Sequence, residues 1–271
     1  MRRRGAVAYN GAMETHLKAV VSYDGTDFCG WQRQRAQRTV QGEIEAALSR
    51  IADQPLSIQG AGRTDAGVHA FGQVCSFSWP GEPPARLAHA LSKMLAPQIR
   101  IESLEQVPPE FNARFSATSK RYRYAIEQAR TPHPLSARHA WQVPHPLDLA
   151  LLESLLPQLE GSHDFAGFQS AGAQERKTTV RTLHSVRLLP EGLCRPAGYD
   201  RIIGIEFHGD GFLYKMVRNL TGTLVEIARG RFELAFLQTC LNSPGPFAGH
   251  CAPPHGLALM RVHYGDEDTP A

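Results

Sequence analysis

The sequence predicts an α+β fold, and three observations carry that expectation. Several stretches alternate apolar and polar residues and follow one another without regular intervening helices, which disfavours a doubly wound parallel sheet. Two stretches in the first half instead place apolar residues on one helical face: Val40, Ile44, Ala47, Leu48 and Ile51, then Leu87, Leu91, Met94 and Leu95. Finally, 271 residues, 42% hydrophobic and 20% charged, can bury the core of one large or two ordinary domains without staples.

In chain order, His16 to Asp24 alternates through Leu17, Ala19 and Val21 and reads as a strand. Asp24 to Trp31 is a loop with two glycines and two carboxylates, and Arg33, Arg35 and Arg38 follow before the next acid, Glu43. Thr39 has the right side chain to cap a helix starting at Val40, which Pro55 must end. Leu56 to Gln59 is predicted as a short strand and Gly60 to Gly67 as a tight loop. Gln73 to Trp79 is a second strand, with Val74, Ser76 and Ser78 facing away from Cys75, Phe77 and Trp79. Pro83 and Pro84 open the second helix, and a strand over Ile99–Val107 closes the half.

The stiff Pro108-Pro109 dipeptide divides residues 16–108 from 109–264. The second half offers a strand over Lys120–Glu127, a helix over Leu147–Leu159, strands over Leu183–Leu189 and Arg201–His208, and a long helix from Phe212 to Ala228. Residues 1–15 read as a loose tail, with Met13 as an alternative start, and 265–271 as an acidic tail.

Composition excludes several classes. Charges interrupt every apolar run well short of the roughly 20 residues a membrane-spanning helix needs. The basic start Met1-Arg2-Arg3-Arg4 lacks the apolar stretch of a signal peptide behind it. Five cysteines without a Cys-x-x-Cys pair are expected to be free, mostly buried thiols in a reducing compartment, and no metal-ligand spacing is visible. The net charge of +3 is too small to nominate a nucleic-acid partner by itself. Arginine outnumbers lysine 24 to 5, which suits bidentate phosphate contact, although a GC-rich genome gives the same bias.

The most informative segment is Gly60-Ala61-Gly62-Arg63-Thr64-Asp65-Ala66-Gly67-Val68-His69. Three glycines in eight residues present Arg63 and Asp65 on a tight loop between strands, permitting positive φ and close backbone approach. Taken alone, a glycine-bracketed Asp reads first as an Asx turn with a surface ion pair. A strand follows it and it lacks Gly-Lys-Ser/Thr, so it is not a phosphate-cradling nucleotide loop.

As a whole, this decapeptide resembles the signature of the tRNA pseudouridine synthase A family. The resemblance continues through Tyr23-Asp24-Gly25, Gly30-Trp31-Gln32-Arg33-Gln34, Thr39-Val40-Gln41 and Phe111-Asn112-Ala113-Arg114-Phe115-Ser116-Ala117. It goes on through Lys120-Arg121-Tyr122-Arg123-Tyr124, His163-Asp164-Phe165, Met216-Val217-Arg218-Asn219 and Gly256-Leu257, spanning about residues 17–264. The segment Ser92 to Ile99 departs from the family's Asn-rich Leu-Pro turn.

The resemblance implies two ferredoxin-like halves sharing a mixed, largely antiparallel sheet, with a basic cleft between them. It implies a homodimer that isomerises uridine to pseudouridine at tRNA positions 38, 39 and 40, a reaction that needs no cofactor; the absence of a targeting pattern makes the cytoplasm the expected location and the absence of ligand spacing makes metal unexpected. The family's catalytic aspartate falls on Asp65, its motif arginine on Arg63, its active-site tyrosine on Tyr122 and its helix-borne arginine on Arg218.

The chemistry asks for such residues. Breaking the N1–C1′ bond, rotating the uracil and rejoining it through C5 exchanges no electrons. What it needs is a carboxylate near the sugar, a flat surface for the loosened base, and positive charge beside the carboxylate. Whether Asp65 adds to C1′, adds to C6 or removes a sugar proton stays open.

Tyr122 alternates with Arg121 and Arg123, so it is either ordinary cross-strand packing or the surface for uracil and a base for the C5 proton. Arg218, within an apolar helix, either pairs with Asp65 or snorkels to solvent. Arg63 either fills the space a flipped uridine leaves or binds phosphate. Arg114, Lys120, Arg121 and Arg123, interleaved with aromatics, and Arg33 are expected RNA contacts, or else a solvated edge. His69, His163 and His208 are read as structural. A non-catalytic RNA binder on the same scaffold would not need the carboxylate, and a glycosidase would need a second acid in the motif.

Overall fold

The computed structural model describes residues 14–172, 177–194, 199–245, 247 and 249–265, so most of the two expected tails lies outside it. The first half runs β1 (Glu14–Tyr23), α1 (Val40–Ala52), β2 (Gln59–Gly60), β3 (His69–Pro80), α2 (Leu87–Leu95) and β4 (Ile99–Gln106). The second runs β5 (Ser119–Gln128), β6 (Trp141–Val143), α3 (Leu149–Leu155), β7 (Gly161–Asp164), β8 (Val180–Leu189), β9 (Ile202–Gly209), α4 (Met216–Ala228), α5 (Ala235–Leu241) and β10 (Leu257–His263).

All the strands belong to one sheet, ordered β4-β1-β3-β10-β5-β9-β8-β7, with β2 added beside β3 and β6 beside β5. The pairing is antiparallel except for β10 with β3 and β6 with β5. The fold is therefore α+β with a largely antiparallel sheet. No helix among the described residues is long and apolar enough to cross a membrane.

Sequence explains the elements directly. The alternation in β1 buries Leu17, Ala19, Val21 and Tyr23. Thr39 caps α1 as expected, its hydroxyl accepting the Gly42 N–H at 3.2 Å, a contact worth about 1 kcal/mol. The expected strand at 56–59 shrinks to Gln59–Gly60. Its N–H groups are spent elsewhere: Leu56 N donates to Ser49 Oγ and Ile58 N to Glu45 Oε1, so the segment is tied to α1. The long helix begins at Met216 because Lys215 takes a left-handed conformation (φ 60°) that a helix cannot continue through. The cysteines are free as expected, but Cys29 and Cys194 are exposed while Cys75 and Cys240 are buried.

The decisive strand is β10, which the sequence reading left unassigned. It pairs with β3 through Ala258 opposite His69 and Leu259 opposite Ala70. On its other edge Leu257 faces Tyr124 and Leu259 faces Tyr122. The end of the chain is thus the seam joining the strand after the Asp65 loop to the strand that carries Tyr122.

Across the second half, His208 packs between His184 and His263, with ring centroids 5.0 and 5.2 Å away, and its Nε2 lies 3.0 Å from Ser119 Oγ. Burial pushes its pKa down to about 4, and Arg121, His184 and His263 push the same way against Glu206. The unfolded chain therefore takes up a proton at about 6.5 that the folded one refuses until about 4. This contribution is fully present above about pH 6.5 and is lost as pH falls toward about 4. Thermal denaturation should show a lower midpoint at pH 5 than at pH 7, and a smaller drop in His208→Gln. An equal drop in both proteins refutes the assignment.

Candidate active site

Asp65 sits in the turn between β2 and β3, and backbone bonds hold that turn. Trp31 N donates to Thr64 O at 3.1 Å, Gly67 N to Phe28 O at 3.3 Å and Val68 N to Asp65 O at 3.1 Å. The glycines divide the work. Gly67 supplies the expected positive φ of 78°. Gly60 instead makes room, since a Cβ there would stand 2.4 Å from Trp31 Nε1. A second loop, 24–39, is laid over the first through these contacts, and Tyr23 OH reaches Thr64 Oγ1 at 2.8 Å.

With its backbone held this way, the Asp65 side chain is released for other use. Its Oδ2 accepts from Arg218 Nη1 at 2.8 Å, and among the described residues it makes no Asx turn. Asp24 does that instead, accepting from Thr26 N at 3.0 Å. Arg218 lies in the first turn of α4. Its Nε donates to Ala252 O at 2.8 Å, and Ala252 N returns a bond to Arg218 O at 3.1 Å. Tyr124 OH donates to Pro253 O at 2.7 Å, fixing the segment that holds the arginine. The side chains are 11% and 25% exposed for Arg218 and Asp65, so the guanidinium end of the pair is the more sheltered and the carboxylate keeps some solvent access.

Tyr122 is buried and meets Phe212 edge-on, with centroids 5.0 Å apart. Burial pushes its phenol well above the ordinary range, and nearby Tyr23 and Asp65 add to that. A phenol held protonated is a flat surface and a hydrogen-bond donor rather than a ready base. Lys120 shares the Tyr122 face of β5, and a Cβ at Gly62 would be 3.5 Å from its Nζ. Arg63 is exposed, its Nε donating to Gln32 Oε1 at 3.1 Å.

Sequence grouped Arg121 and Arg123 with these, but strand alternation turns them to the opposite face. There both bind Glu206, at 3.3 and 2.9 Å, and Arg123 also binds Glu191 at 3.1 Å. Arg114 is exposed on a separate loop, its guanidinium over Phe115 at 5.4 Å. Arg33 bonds Glu45 at 3.1 Å. Asn219, beside Arg218 in its motif, is a structural tie, its Nδ2 donating to Phe168 O at 2.8 Å and Ser170 Oγ at 3.1 Å.

One group of candidate metal ligands exists among the described residues: Asp24, His69 and His139, with ligand atoms within 4.8 Å of one another. The His69 ring is already committed, since Nδ1 accepts from Gly25 N and Nε2 meets His255 O, both at 3.1 Å. We read it as the tie between the Asp24 loop and the β10 seam.

Sequence reasoning assigned no role to Tyr23, Gln32, Gln41, Gln73 or Phe212. Gln73 is fully buried and donates to Gly62 O at 3.1 Å, steadying the loop from β3. The available signal was polarity within otherwise apolar patterns, as with Gln41 and Glu45 one turn apart beside the stripe of α1.

Fold and site together give an α+β protein in which a partly exposed carboxylate held by an arginine lies close to a buried tyrosine, with Arg63 exposed on the same loop. The sequence pattern of the tRNA pseudouridine synthase family matches residues 19–116 and 156–265. A Streptococcus gordonii protein named tRNA pseudouridine synthase A is 41% identical over 92% of this chain and 99% of its own. Proteins of that name from Geobacter sulfurreducens and Akkermansia muciniphila are 37% identical over 92% of this chain and 99% of their own, and 41% over 93% and 96%. The chain belongs to the tRNA pseudouridine synthase family.

Proposed function

We propose that this enzyme isomerises uridine to pseudouridine at positions 38, 39 and 40 of the tRNA anticodon arm, with Asp65 as the catalytic carboxylate. The observation that carries the reading is the 2.8 Å contact from Arg218 to Asp65, which fixes a partly exposed carboxylate close to Tyr122. Asp65 opens the reaction at C1′, at C6 or at the sugar proton. The freed uracil turns against Tyr122, C5 bonds to C1′, and the C5 proton leaves to solvent. A target uridine must leave its stack at a cost of a few kcal/mol, and Arg63 takes the vacated space. Arg33, Arg114 and Lys120 meet phosphates of the bound tRNA. The enzyme works in the cytoplasm as a homodimer across which one tRNA lies.

The reading predicts stoichiometric release of tritium from tRNA labelled at uracil C5, at a rate unchanged by a strong metal chelator. Binding of tRNA without tritium release leaves a non-catalytic RNA binder. Loss of release in chelator, restored by a divalent ion, refutes the metal-free chemistry and returns attention to Asp24, His69 and His139.

A further inference from the structure

A line of hydrogen bonds runs from the interior of α1 to Arg63, and its direction is fixed at the buried end. Glu45, 4% exposed, accepts from Gln41 Nε2 at 2.8 Å, Ile58 N at 3.1 Å and Arg33 Nη1 at 3.1 Å. A carboxylate met by three N–H donors is an acceptor only, so the amide nitrogen of Gln41 must point toward it. Gln41 Nε2 also donates to Ile58 O at 3.1 Å, which uses both of its protons. Gln41 Oε1 therefore points outward, accepting from Gln32 Nε2 at 2.8 Å and Arg33 N at 2.9 Å. Reversing this amide would oppose like groups at every one of those contacts.

The same logic passes to the next amide. With its nitrogen held by Gln41, Gln32 must present Oε1 to Arg63, and it does so, accepting from Nε at 3.1 Å. An isolated half-exposed glutamine would present either end to a neighbour, and its nitrogen would repel a guanidinium. Gln32 and Gln41 come from different elements, the loop 24–39 and α1, so the line also ties Arg63 to the rigid part of the first half.

We infer that Glu45, Gln41 and Gln32 are positioning residues that set the orientation of Arg63 through this one-way relay. The inference rests on the reading of Arg63 as a participant in target-uridine capture. No relay member needs to touch the RNA.

The test compares Gln32→Met, Gln41→Met, their combination and Arg63→Ala by single-turnover tritium release, tRNA affinity and melting temperature. Gln32→Met should slow release roughly tenfold, the scale of a lost bond to a charged group, with melting temperature unchanged and affinity within about twofold. Arg63→Ala should slow it at least as much. Gln41→Met should cost a similar factor plus stability, and should slow release no further once Gln32 is already Met, because the line is already cut. If Gln41→Met fails to fold, Gln32→Met against Arg63→Ala still decides. Full rate in Gln32→Met with an impaired Arg63→Ala overturns the relay, as do losses that multiply in the double variant. Full rate in Arg63→Ala removes the role of Arg63 and the relay with it. Wild-type enzyme that releases no tritium fails on the proposed function itself.

Discussion

Asp65→Asn should bind tRNA, melt near the wild-type temperature and yet lose turnover by roughly a thousandfold or more, the scale seen when a group on which a reaction depends is removed. The structural reason is the division of labour in the loop. Its backbone is fixed by bonds from Trp31, Gly67 and Val68, none of which uses the Asp65 side chain. Asparagine keeps an oxygen that accepts from Arg218 Nη1, so the shape survives and only the charge and nucleophilicity go. Affinity should hold or rise slightly, since an anion beside RNA phosphates is unfavourable when it is not reacting. Had Asp65 been a turn-forming residue, as its glycine-rich setting alone allows, the variant would lose melting temperature and affinity together and keep its activity per folded molecule. Substantial turnover by Asp65→Asn on its natural tRNA would remove Asp65 from the reaction.

What made the site legible was the concentration of constraint in short segments. The Asp65 loop must hold three glycines, a carboxylate and an arginine within eight residues, and such density survives in the sequence whatever surrounds it. The helix-borne Arg218 was legible as a cost, a guanidinium in an apolar helix that needs a partner. What the sequence withheld was distance. The bond joining Asp65 to Arg218 spans 153 positions, and β10, the strand that brings the two halves together, has no polar alternation in Leu257 to Leu259 because that run is buried on both faces. Arg121 and Arg123 show the opposite case. Alternation puts them on the face away from Tyr122 and interleaving with aromatics suggested RNA, while their shared carboxylate, Glu206, comes from β9, whose pairing with β5 the sequence does not show.

The same distinction explains the second half. Helices shorter than two turns, such as α5, and strands of three or four residues, such as β6 and β7, carry too few positions for a period to emerge. The start of α4 depends on one backbone conformation at Lys215, which no side-chain preference announces. Long elements with one wet face, by contrast, were readable to within a few residues.

Arg218→Met should both unfold the enzyme earlier and silence it, and the two effects should separate when Asp65 is also changed. The substitution keeps the apolar stem but strands two acceptors, Asp65 Oδ2 and Ala252 O. Breaking one side of a fully buried pair costs about 3–5 kcal/mol, and the 25% exposure of the Asp65 side chain lowers that toward about 2. For a chain of this size the melting temperature should fall by roughly 4–8 °C. Adding Asp65→Asn removes the uncompensated charge, so Asp65→Asn/Arg218→Met should melt above Arg218→Met alone while remaining inactive. Arg218→Lys keeps the positive charge but cannot reach both Asp65 and Ala252 as a fork does, so it should recover part of the stability and little of the turnover. An exposed, incidental ion pair would behave differently: Arg218→Met would cost no more than about 1 kcal/mol, and Asp65→Asn would restore nothing. Stability regained without activity is therefore the signature that Arg218 holds the carboxylate the reaction uses, and a double variant no more stable than Arg218→Met would show that it does not.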